Sequence, residues 1–186
     1  LGGAAAGMVA AGILTEPENM AGKLVIVSAS IFGSLIPDID HPQSSISRKN
    51  RILSAAISIL QAVVRGIAAN FPKKQEKYIK GAAGHRGLSH SLVMVLLCVF
   101  LVHAGAIVMP EWKEKVSLAA WGVAVGILSH LLLDMFAGGV PLLFPFTLRR
   151  VTLGHIKTGG QAEWGLRLAA TAGIVVLLGK DFLKWI

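Results

Sequence analysis

The sequence predicts an all-α fold: a polytopic integral membrane bundle of about five transmembrane helices plus an amphipathic or re-entrant helix, forming a single domain over residues 1–186. Three observations predict it. Hydrophobic residues make up 54% of the chain and charged residues only 15%, against roughly 25% charged in soluble domains. Mean hydropathy is +0.66. Two stretches without Asp, Glu, Lys or Arg, residues 87–110 and 116–133, approach or exceed the ~20 apolar residues that cross a bilayer core. So much apolar matter excludes a disordered chain, and so little charge argues against a soluble globule. The 21 glycines suit helices that approach closely in lipid. The single cysteine, Cys98, excludes an internal disulfide framework and a cysteine-rich zinc module, and reads as a small packing residue. The sequence starts at Leu1 without Met, so further residues are expected upstream.

Three shorter uncharged runs complete the count of five: residues 1–15, 24–37 and 168–179. They span only if flanking residues snorkel or the helices continue past their charges. Residues 1–15 lack the basic region of a signal peptide. Basic residues then orient the bundle. Residues 48–86 hold nine Lys or Arg against one acid, Glu76, and should face the cytoplasm. Residues 15–23 carry Glu16, Glu18 and Lys23, and residues 111–115 carry two acids and two lysines, so both read as external. Residues 147–167 carry Arg149, Arg150, Lys157 and Arg167 against Glu163 and read as internal. The loops alternate without conflict.

Residues 52–68 are different in kind. Ser54, Ser58, Gln61 and Arg65 form one narrow polar stripe on a helix otherwise made of Ile, Leu, Val and Ala. The basic stretch FPKKQEKYIK follows it. This is the amphipathic or re-entrant element, set near the inner headgroups, with a packed helix of a cytoplasmic cap as the alternative. The formal net charge of +8 favours anionic phospholipid headgroups as partners. Nucleic acid is not an expected partner, because the basic residues are not interleaved with stacking aromatics.

Three polar clusters carry the chemistry. PDIDHP, residues 37–42, places Asp38, Asp40 and His41 together at the inner end of the second run, between two prolines that stop a helix. Carboxylates packed this closely repel one another unless a cation joins them. GHRGLSHS, residues 84–91, places His85 in a loop and His90 at the start of the third run, with Arg86 between them. Arg86 reads either as a positive-inside anchor or, beside metal ligands, as a bidentate phosphate contact. SHLLLD, residues 129–134, puts His130 and Asp134 four apart on one helix face inside the fourth run. Ionisable groups within a span are costly and mark function by default. The alternatives are a solvated helix stop, interfacial capping histidines and a packing hydrogen bond. Glu163, ahead of the fifth run, is a candidate ligand or general base. His155 reads as a surface residue and His103 as a packing or water-facing one. The loop GGVPLLFPF, residues 138–146, is apolar but broken by Gly and Pro, and could line a lipid entrance.

By the charge argument all three clusters lie at the cytoplasmic ends of their spans. Seven candidate ligands, Asp38, Asp40, His41, His85, His90, His130 and Asp134, exceed what one tetrahedral zinc needs, so more than one ion is expected. Nitrogen and carboxylate donors without thiolate suit Zn, Mn or Fe.

The segments GSLIPDIDHPQS, GHRGLSHSL and GILSHLLLDMFAGGVPLLFPF, in that order, resemble the YdjM-like family of bacterial membrane-bound metal-dependent hydrolases. The resemblance covers about residues 1–167. It implies an integral protein of the bacterial inner membrane and a metal hydrolase distantly related to zinc-dependent phospholipase C proteins. It also implies that the seven residues above hold the metal, and Glu163 resembles a family position. Family members commonly carry a His just before a small-residue segment like LGGAAAG, a position that lies ahead of Leu1.

The expected function is metal-dependent hydrolysis of a phosphate ester at the cytoplasmic membrane surface, with a phospholipid or lipid-linked phosphate as substrate. Arg86 would neutralise phosphoryl charge. The rival is a transporter or metal-handling protein that uses the same His and Asp residues as an ion pathway, with ligands at several depths, His103 included. A structural metal site with a filled coordination sphere is a third reading.

Overall fold

A computed structural model of the chain describes residues 1–16, 19–40, 72–82, 87–154 and 160–181, with positions 59, 62–63, 66, 70 and 156. Helix α1, Gly2–Leu14, ends where Thr15 turns extended and its hydroxyl donates to the Ala11 carbonyl. Helix α2, Met20–Gly33, begins at Asn19, whose side chain accepts from the Gly22 amide at 2.8 Å. That contact satisfies one of the amides a helix start leaves unpaired. Beyond Ser34 the chain tightens into a 3-10 turn over Pro37–Asp40, as expected where Pro lacks the N–H of a continuing helix. Helix α3, Lys73–Ala82, is short and basic. A second 3-10 turn, Leu88–His90, leads into α4, Leu92–Val108. A tight turn over Pro110–Trp112 reverses the chain into α5, Lys113–Ala137, and α6, Gln161–Asp181, follows.

Helix α5 is the centre of the bundle. It packs against α1, α2 and α4, while α1 also packs against α2 and α6. Val95, Val123, Ala124, Ile127, Leu131 and Val140 form the main buried cluster, and Ala10, Ala11 and Ile26 a second. In lipid the hydrophobic effect does not drive one apolar helix onto another, so close packing through small residues must. A Cβ on Gly33 would sit 2.6 Å from the Val123 carbonyl oxygen, and one on Gly122 2.6 Å from that of Ile26. Backbone therefore meets backbone where α2 crosses α5. Ser30 adds a buried hydrogen bond, its hydroxyl donating to the Gly3 carbonyl at 2.7 Å.

Each of the five apolar runs carries a helix, as expected, with 24–37 and 87–110 continuing past their helices into turns. Two segments, Met20–Ile39 and Pro110–Ala137, are long and apolar enough to cross a membrane, whereas Gly2–Leu14 and Leu92–Val108 are apolar but shorter. The all-helical class therefore stands, and among the described residues two segments meet both the length and the composition of a crossing. Large apolar side chains point outward from the bundle, Phe100 70% and Ile107 83% exposed among them. The expected amphipathic element at 52–68 lies mostly outside the described residues.

The loop after α5 is apolar, as read from its sequence, and well tethered. Gly138 and Gly139 both take positive φ, and their amides both donate to the Asp134 carbonyl, at 3.1 and 2.9 Å. At Gly139 a side chain would be strained by backbone conformation and would also strike the Thr152 hydroxyl. Val140 pairs with Val151, and the Leu92 amide donates to the Leu142 carbonyl at 3.0 Å. Tyr78 of α3 stacks on Phe144, with centroids 5.6 Å apart, and donates its hydroxyl to the Pro145 carbonyl. Phe146, at 91% exposure, projects from the loop.

Candidate metal centre

Three chain segments meet at one end of the bundle. Asp38 comes from the turn after α2, His90 from the turn before α4, and His130 and Asp134 from the last two turns of α5. The helical rise puts His130 and Asp134 on one face, and Nε2 of the first lies 3.6 Å from Oδ2 of the second. His90 Nε2 lies 3.1 Å from the same Asp134 oxygen and 3.8 Å from Asp38 Oδ1. His130 Nε2 lies 3.6 Å from Asp38 Oδ1. The two imidazoles meet edge to face, with centroids 5.5 Å apart.

These separations describe a cage. Four donors about 2.0–2.2 Å from a tetrahedral ion are about 3.3–3.6 Å from one another. The four N···O distances bracket that edge length. Ligand atoms of Asp38, His90 and His130 all lie within 4.8 Å of one another. His130 Nε2 is buried without a hydrogen bond among the described residues, so a buried polar atom is aimed at the centre of the cluster. The residues present therefore fit a divalent cation. Two imidazole nitrogens and two carboxylate oxygens suit Zn, Mn or Fe, and two carboxylates match the charge of one such ion.

The burial is graded. His90 has no exposed side-chain surface, Asp134 and His130 expose 16% and 18%, and Asp38 exposes 43%. Asp38 therefore stands on the open side of the cage. The buried side is held firmly. Pro37 and His90 are fully buried, and the two amides on the Asp134 carbonyl anchor the end of α5.

Four of the seven sequence-predicted ligands thus come together. Asp40 lies in the same turn as Asp38, and Glu163 in the first turn of α6 rather than ahead of the helix. The side chains of both fall outside the described residues, as do His41, His85, Arg86 and His155. His90 closes a 3-10 turn and so precedes the helix it was expected to start. His103 stands apart on α4, exposed, its Nδ1–H donating to the Val99 carbonyl at 3.2 Å. One residue escaped sequence reasoning: Ser89, whose hydroxyl lies 3.0 Å from His90 Nδ1. Its only sequence signal was adjacency to a candidate ligand.

Comparison with known proteins places the chain. A family model described as YdjM inner membrane protein matches residues 1–184. The Bacillus subtilis protein YvsG is 32% identical over 152 residues, which is 79% of this chain and 76% of that protein. The inner membrane protein YdjM of Escherichia coli K12 is 35% identical over 142 residues, 74% of this chain and 59% of that protein. The same figures hold for YdjM of Shigella flexneri. The match thus spans about three fifths of the length of the YdjM proteins. No solved structure matches.

Proposed function

The chain belongs to the YdjM inner membrane protein family, and on that basis we propose that it is a metal-dependent hydrolase that cleaves a phosphate ester of a phospholipid or lipid-linked phosphate at the cytoplasmic face of the membrane. One observation carries the reading: Asp38, His90 and His130, drawn from three segments, converge with metal-ligand spacing at one end of an apolar bundle, and Asp134 lies beside both imidazoles. The cytoplasmic orientation rests on the basic residues between 48 and 86.

A divalent ion bound there would lower the pKa of a water and polarise a phosphoryl oxygen. The chain's own residues do the rest. The imidazoles of His90 and His130 and the Asp134 carboxylate would hold a divalent ion. Asp38, the most exposed ligand, faces the direction from which a headgroup arrives. The products are an alcohol and a phosphate, with water supplying the oxygen to phosphorus and the proton to the leaving group. Arg86 is the candidate for neutralising phosphoryl charge and Glu163 for accepting the water's proton. Additional ions would draw on Asp40, His41 and His85. The apolar loop at 138–146, with Phe146 at its tip, suits entry of a lipid from the side.

The test is direct. Purified protein in detergent is assayed for bound metal and then, on vesicles of phosphatidic acid or phosphatidylglycerol, for released phosphate or headgroup by phosphorus NMR. Metal-dependent release, abolished by chelator and restored by Zn or Mn, is the expected result. Metal-loaded protein that releases nothing but carries metal across liposomes would establish the transport reading instead. Anionic vesicles should also be the better substrate. Replacing exposed Lys73 and Lys80 of α3 with Gln should raise KM on them by roughly fivefold per lysine, since each contributes about 1 kcal/mol of attraction to an anionic surface. An unchanged KM would remove α3 from substrate capture.

A further inference from the structure

We propose that the loop after α5 is a membrane wedge: Leu143 and Phe146 enter the acyl boundary of the leaflet, and Arg149 and Arg150 take the phosphates of anionic phospholipids beside them. The inference deepens the reading above and rests on its placement of this end of the bundle at a lipid surface. A connection that faces water is built from polar residues and glycine. Residues 140–146 carry no polar side chain at all. Packing accounts for only part of that run. Val140, Pro141 and Phe144 are buried, whereas Leu143 is 50% exposed and Phe146 91%. The exposed pair stands on a formed turn, the Phe144 amide donating to the Pro141 carbonyl at 3.0 Å and the Phe146 amide to the Leu143 carbonyl at 2.9 Å. Tyr78 stacks on Phe144 and holds the turn from α3. Insertion therefore has little left to order.

Charge selects the lipid. Arg149 and Arg150 follow the tip and are both exposed, and the sequence holds no acid between Asp134 and Glu163. The Arg149 amide donates to the Thr147 hydroxyl at 3.1 Å, which keeps this pair next to the turn. Apolar side chains flanked by cations are the composition of elements that lie in the interface, with the apolar part about 5–10 Å deep. A second copy of the chain fits the tip less well, because a two-fold contact would set the same arginines against each other. The wedge is also tied to the candidate metal centre. Its first glycines hold the Asp134 carbonyl, and its Leu142 carbonyl accepts from the amide of Leu92, two residues after His90. Seating the tip thus fixes the depth of those side chains relative to the headgroups.

The experiment uses the full chain with Cys98→Ala and Phe146→Cys, a bimane probe on the new thiol, and vesicles of phosphatidylcholine and phosphatidylglycerol. Phe146 is almost wholly exposed, so its replacement leaves the packing intact. Expected are blue-shifted emission, little quenching by iodide, and stronger quenching by a spin label near the top of the acyl chain than by one near its end. Spin-labelled phosphatidylglycerol should quench more than spin-labelled phosphatidylcholine, with a preference of roughly fivefold per arginine that Arg149→Gln with Arg150→Gln abolishes. Emission as in water, quenched by iodide and not by lipid, overturns the wedge. A probe shielded from both quenchers, with self-quenching that rises with protein density, puts a second copy on the tip and overturns lipid as its occupant. Equal quenching by the two lipids overturns the part given to the arginines. None of these readouts uses metal or hydrolysis, so hydrolysis by a chain with a water-exposed tip sinks the wedge alone, and a seated tip on an inactive chain sinks the hydrolase reading alone.

Discussion

Replacing His130 with Ala is expected to strip the centre of its metal, weakening affinity by more than ~100-fold. Losing a group that merely orients a ligand costs about 10–100-fold, and His130 is proposed as a ligand itself, its Nε2 3.6 Å from both carboxylates. Without it, Asp38 and Asp134 would face the ion with one imidazole instead of two. Asp38→Ala should behave similarly, while removing the ligand on the open side. Elemental analysis and cobalt titration of the purified variants read the effect, and hydrolysis should fall with metal content. His103→Ala is the control. That residue is exposed on α4 and bonds to its own helix backbone, so metal content should not change. A marked effect at His103 would support a chain of ligands through the membrane. Unchanged metal in both His130→Ala and Asp38→Ala would remove these residues from the site.

Gly33→Ala is expected to destabilise the bundle by about 1–3 kcal/mol and to weaken metal binding as well. The added methyl meets the Val123 carbonyl oxygen at 2.6 Å, its Cα at 2.9 Å and its carbonyl carbon at 3.1 Å. All three atoms are backbone, and none can rotate aside, so α2 and α5 must separate. Gly33 stands shortly before Pro37 and Asp38, whereas His130 and Asp134 ride on α5. Moving the two helices apart therefore opens the cage. Thermal unfolding in detergent and cobalt affinity measure the two consequences together. Gly105→Ala serves as the contrast. No atom lies within 4 Å of its added methyl, and the position is inside α4, so helix propensity should make it neutral or stabilising by up to ~1 kcal/mol. Equal stability of the two variants would mean that the α2–α5 contact is looser than described.

Much of this protein is legible along the chain because the relevant physics is local. A run of apolar side chains announces a lipid-compatible helix wherever it sits, so every helix expected from residues 1–15, 24–37, 87–110, 116–133 and 168–179 is present. How many cross the bilayer depends on length beyond those runs, and among the described residues two segments meet both length and composition. His130 and Asp134 could be paired from the spacing of one helix, since one turn separates them. The charge of the loops was enough to place the three polar clusters at a common end.

Which members of those clusters meet is another matter. PDIDHP offers three candidates and GHRGLSHS two, and among the described residues Asp38 and His90 are the ones that meet His130 and Asp134. The crossing of α2 on α5 brings them there, because close approach at Gly33 and Gly122 sets how far the turn after α2 reaches toward the end of α5. Ser89 became visible for the same reason: its hydroxyl lies 3.0 Å from Nδ1 of a ring whose other nitrogen faces the carboxylates. Helix formation follows from neighbours in sequence, whereas a coordination cage follows from the distance between segments that lipid does not push together and that packing alone brings into contact.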